Sequence, residues 1–170
     1  MEKYLLLILG AIIGFIASIA KDYFVEKTKK KFKENELKRE KAEELYILLE
    51  KWANFFFSQK NHLVLVMNGH IDYNEYLDYI INEGEKNKID FKRIDMIINI
   101  YFDKLLSFDE KVRKQMEIVN NIEYEYKKEY ENGNIDGKQY INLLLSETLK
   151  TTESINKIKK EVCILVKELN

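Results

Sequence analysis

The sequence predicts an all-α chain, an N-terminal single transmembrane helix continuing into a cytoplasmic antiparallel bundle of three long helices and one short helix. Three observations predict it. Among 170 residues there is no proline and there are only six glycines, which suits uninterrupted helices and denies a β-sandwich its turns. The run from Tyr4 to Ala20 carries no charge. Beyond it, apolar residues recur every three or four positions.

The apolar run comes first. Seventeen residues rise about 25 Å as a helix, slightly less than a hydrocarbon core of roughly 27 to 30 Å. Tyr4 and Tyr23 extend the span to about 28 Å and supply interfacial aromatic anchors. A cleaved signal is the rival reading, because Ser18 and Ala20 place small residues where a peptidase would need them. Lys21, Lys27, Lys29, Lys30, Lys31 and Lys33 follow the run, while only Lys3, opposed by Glu2, precedes it. By the positive-inside rule this asymmetry keeps the C-terminal side in the cytoplasm of a single-pass cell-membrane protein, with the N-terminus outside. The expected organisation is an anchor over 1–21, a charged juxtamembrane stalk over 22–44 and a bundle over 45–170.

Within the bundle, Leu45, Leu49, Trp52, Phe56, Leu63 and Val66 form one stripe of a long helix that stops at Asn68-Gly69. Three Ile-Asp pairs, Ile71-Asp72, Ile89-Asp90 and Ile135-Asp136, then signal helix starts near residues 73, 91 and 137. Each aspartate is placed to cap, each isoleucine to staple onto Tyr76, Ile94 or Tyr140, and Glu75 and Gln139 to complete capping boxes. A short helix over 73–83 ends before Gly84. From Asp90 to Glu131 a heptad seam passes through Ile94, Ile98, Tyr101, Leu105, Phe108, Val112, Gln115, Val119, Ile122 and Tyr126. Ser107 with Glu110 offers a competing break, but the seam keeps its phase, so one continuous helix is expected. The last helix carries Ile141, Leu145, Thr148, Thr152, Ile155, Ile158, Val162, Leu165 and Leu169. The segments at 68–81 and 132–145 align as a weak repeat, which convergent capping chemistry explains without duplication.

Catalytic signatures are missing from the sequence. His62 and His70 have no partner spacing for a metal, and no paired cysteines or glycine-rich phosphate loop occur. Cys163, the single cysteine, is expected to be a small buried hydrophobe. No catalytic, cofactor or metal-binding residue is therefore expected. Charged residues are 34% of the chain but sum to −1, so no overall field favours nucleic acid. Two sets of residues carry local physics. Gly10, Gly14 and Ser18 form a small-residue face suited to membrane-helix association. Lys27, Lys29, Lys30, Lys31 and Lys33 are suited to lipid headgroups, at about 1 kcal/mol each.

The function expected from these features is a non-enzymatic, membrane-anchored interaction or scaffold protein, with lipid, another protein or a second copy as partner. The alternative is a membrane-active effector, a small toxin or defence protein, whose anchor oligomerises.

Overall fold

A computed structural model describes the backbone of residues 2–169 and the side chains of 14, 15 and 18–169. The described residues form five α-helices and no strand: α1 (Glu2–Met67), α2 (Tyr73–Asn87), α3 (Phe91–Tyr101), α4 (Leu106–Glu131) and α5 (Lys138–Lys167), with one 3₁₀ turn over Asp103–Leu105. The chain divides into two compact units, residues 1–40 and 41–170.

The first unit is the N-terminal part of α1. Phe15, Ile19, Tyr23, Phe24 and Phe32 are all exposed on it. Among the described residues no helix is long and apolar enough to cross a membrane, so the transmembrane part of the expected fold is not supported. Most of the run from Tyr4 to Ala20 lies outside the described side chains.

The second unit is an antiparallel bundle. All six residues of the expected α1 stripe are buried, each worth about 1.5 to 3 kcal/mol relative to exposure. Both Asn-Gly stops close their helices in the same way. Gly69 (φ +71°) and Gly133 (φ +90°) adopt the left-handed conformation. Their amides donate to Val66 and Tyr130, and the next residues, His70 and Asn134, donate to Leu65 and Glu129. This is the Schellman arrangement, which satisfies carbonyls the helix leaves open.

One expected helix start is met in full, while one start and one stop depart from expectation. At the first junction Asp72 accepts from the amides of Asn74 and Glu75 while Glu75 accepts from the Asp72 amide, a complete capping box. At the last junction the cap position is Gly137, and Asp136 accepts only from the Lys138 amide at 3.1 Å. Gln139 does not reach back but donates to the Glu129 carboxylate. The short helix passes through Gly84 and ends at Lys88, whose own φ is +37°. A Cβ at Gly84 would stand 4.0 Å from Phe55, an ordinary contact, so packing does not require the glycine there.

The largest correction concerns residues 90–131. The helix expected there is broken at Phe102, which leaves helical geometry (φ −140°, ψ 54°) and buries its ring. The chain then reverses. Arg113 of α4 pairs with Asp95 of α3, a contact impossible within one straight helix, where these residues would be about 27 Å apart. Ser107 plays no part, since the start of α4 has no side-chain cap. What drives the reversal is that Ile94, Ile97 and Ile98 pack inward from α3 and Leu105, Val112 and Val119 from α4.

Cross-contacts fix the topology. Descending from the α1 C-terminus, Tyr79 of α2 stacks on His62 and Phe91 of α3 meets Trp52 edge-on. At the far end Arg93 grips Glu44 through two nitrogens. Thus α2 and α3 together form one descending leg, α4 ascends with Glu123 beside Lys60, and α5 descends to bring Lys159 onto Glu50. The unit is a four-legged up-down-up-down bundle.

Candidate functional site

Three polar or chemically distinctive regions of the molecule stand as candidates. The first is the buried crossing of α1, α2 and α4. Lys60, 2% exposed, pairs with Glu123 and lies over the Phe56 ring at 5.4 Å. The Tyr76 hydroxyl donates to the other Glu123 oxygen at 2.8 Å. Burial, reinforced by the Glu123 charge, pushes the Tyr76 phenol far above its ordinary value, and burial pushes Tyr73 up to about 12. Lys60 and Tyr76 thus occupy both Glu123 oxygens in one buried hydrogen-bonded cluster. Sequence reading missed it, although the α1 stripe carried the signal: Lys60 occupies the step between Phe56 and Leu63 where the next apolar residue belongs.

His62 is similarly committed to structure. Its ring stacks on Tyr79 at a centroid distance of 3.4 Å and its Nδ1 lies 3.0 Å from the Ser58 carbonyl oxygen. Ser58 and Tyr79 are themselves joined at 2.6 Å. Among the described residues no group of three histidine, cysteine or acidic side chains is placed to hold a metal ion.

The second region contains the residues singled out by sequence in the first unit. Lys27, Lys29, Lys30, Lys31 and Lys33 are all exposed. At 100° per residue they spread over about 200° of the helix circumference and leave about 160° free of them. Gly14 and Ser18 are exposed, with nothing within 4 Å of a Cβ at Gly14. The side-chain position of Gly10 lies outside the described residues.

The third region is a groove of about 440 Å³ between the start of the bundle's α1 and the end of α5. Ala42, Tyr46 and Ile47 form one wall and Val162, Cys163 and Val166 the other. Cys163 is exposed here, contrary to the expected burial, because the inward face of α5 passes through Ile158, Lys159 and Val162. The groove continues along α5 past Lys160 and Ile164. Ile47 and Ile164 are 55% and 47% exposed, so this end of the bundle presents apolar surface left uncovered among the described residues.

No protein-family model matches the chain, no curated protein matches it significantly, and no solved structure matches it significantly.

Proposed function

We propose that the chain is a membrane-anchored, non-enzymatic interaction protein, whose N-terminal run tethers a cytoplasmic helical bundle that binds through an exposed face. The observation that carries the reading is the open apolar groove between Tyr46 and Cys163. Contiguous uncovered apolar surface, unlike single exposed side chains, marks a binding face. The tether is supported by the uncharged run from Tyr4 to Ala20 and the lysines after it, together with Phe15, Ile19, Tyr23 and Phe24, which nothing in the described unit covers. Basic residues just past an apolar helix retain the following chain in the cytoplasm and meet anionic headgroups.

Alkaline carbonate extraction of the full chain tests the tether. The protein stays in the membrane pellet, and Ile12→Lys with Ile16→Lys moves it to the supernatant, since each central lysine costs about 2.5 to 3.5 kcal/mol of insertion. Release of the unmodified chain by carbonate would overturn the proposal.

A further inference from the structure

The groove between α1 and α5 has walls of opposite charge. Glu43 stands on the α1 wall, and Lys160 and Lys167 on the α5 wall. Apart from Lys159, which is paired with Glu50, these charges have no ion-pair partner among the described residues. We propose that this groove is the contact face of a homodimer, in which each copy lays its α1 wall on the other's α5 wall about a two-fold axis running along the groove. The inference rests on the reading of the bundle as an interaction module and names its partner.

The axis follows from the helix directions. Lys159 of α5 reaches Glu50 and lies 4.8 Å from the Tyr46 ring centroid of α1, while Val162 and Val166 line the groove with Ala42 and Tyr46. The walls are therefore antiparallel, and Glu43 and Lys167 sit at the same level. A two-fold axis parallel to the helices exchanges the walls without changing level, so Glu43 of each copy meets Lys167 of the other and both charge pairs are satisfied. An axis across the groove would set acidic wall on acidic wall. The two walls supply the apolar contact through Tyr46, Ile47 and Cys163, all exposed in the single chain. A lipid chain would fill the same groove but bring an anionic headgroup against Glu43. A second copy uses both signs. The axis also leaves the Lys41 ends of both bundles at one end of the dimer, as two tethers in one membrane require.

Cys163 is the chain's only cysteine and lines the α5 wall of the groove, so a short bismaleimide reports the contact directly. The full chain in membranes is expected to give a crosslinked dimer. Glu43→Lys and Lys167→Glu should each lower the yield roughly tenfold by setting like charges together, and the two combined should restore it. Circular-dichroism melts verify that the bundle is intact in each variant, both sites being exposed. Three outcomes overturn the homodimer: no crosslink in the unmodified chain, a yield insensitive to either charge reversal, or a double variant no better than the singles. Within the first outcome, a Cys163 that also resists monofunctional maleimide reports lipid or a different protein in the groove. A crosslink failure in a chain that remains carbonate-resistant removes the dimer and leaves the tether standing.

Discussion

The Gly137 amide donates to the Met67 carbonyl at 3.0 Å, joining the start of α5 to the end of α1 although 70 residues separate them. A Cβ at Gly137 would lie 2.5 Å from Tyr126 Cε2 and 2.6 Å from Met67 Cγ. The glycine is thus required by close approach, its φ of −101° being open to any residue. Gly137→Ala is expected to cost about 1 to 3 kcal/mol by overpacking, measured by urea unfolding. Gly14→Ala, with nothing within 4 Å, should be neutral in the same assay.

The Lys60 and Glu123 pair predicts an asymmetric response. Lys60 is 3% exposed at its side chain and Glu123 is 21% exposed. Glu123→Gln leaves an uncompensated ammonium in the core and should cost about 3 kcal/mol, whereas Lys60→Met leaves a carboxylate that reaches water and should change stability by less than about 1 kcal/mol. Equal losses in the two variants, measured by denaturant midpoint, would contradict the assignment.

The Arg93 guanidinium, by hydrogen bonding to Glu44, lowers that carboxyl from its ordinary 4.5 to about 2. A folded pKa below the unfolded one means that the stabilisation is complete above 4.5 and is lost as pH falls toward 2. Glu44→Gln should therefore remove part of the acid sensitivity in that window. Unfolding curves at neutral pH and at about pH 3 check it: the gap between variant and unmodified chain narrows at the lower pH.

Capping chemistry separates two aspartates that look alike in sequence. Asp72 satisfies two amides and anchors a reciprocal box, so Asp72→Ala should cost about 1 kcal/mol. Asp136 satisfies one amide, at 3.1 Å, from outside the cap position, and Asp136→Ala should cost less than half as much. Thermal melts of the two variants give the comparison.

Much of the fold is written locally. The α1 stripe, the Asn-Gly stops and the starts after Asp72 and Asp90 depend on neighbours within five residues and appear where the spacing places them, whereas the start after Asp136 moves to a Gly137 cap. The reversal at Phe102 does not. Leu105 and Val112 keep the rhythm of Ile94 and Ile98 on both sides of it, and no glycine or proline marks it, so periodicity continues where the backbone does not. The inward face of α5 takes Leu144 and Thr151 in place of Leu145 and Thr152, while Thr148, Ile155, Ile158 and Val162 are buried where the spacing places them. The groove was illegible for a related reason. Ala42 and Tyr46 lie more than a hundred residues from Val162 and Cys163, and only the antiparallel descent of α5 along α1 brings the two pairs together. Cys163 shows the limit clearly, since composition favours a buried thiol and the helix phase turns it outward.

The proposed tether makes one statement about sidedness that protease protection tests most directly. In sealed cells producing the full chain with a C-terminal epitope, external protease should leave the epitope intact, and permeabilisation should expose it to digestion, because the lysines after Ala20 hold the bundle inside. Loss of the epitope in sealed cells would contradict the account.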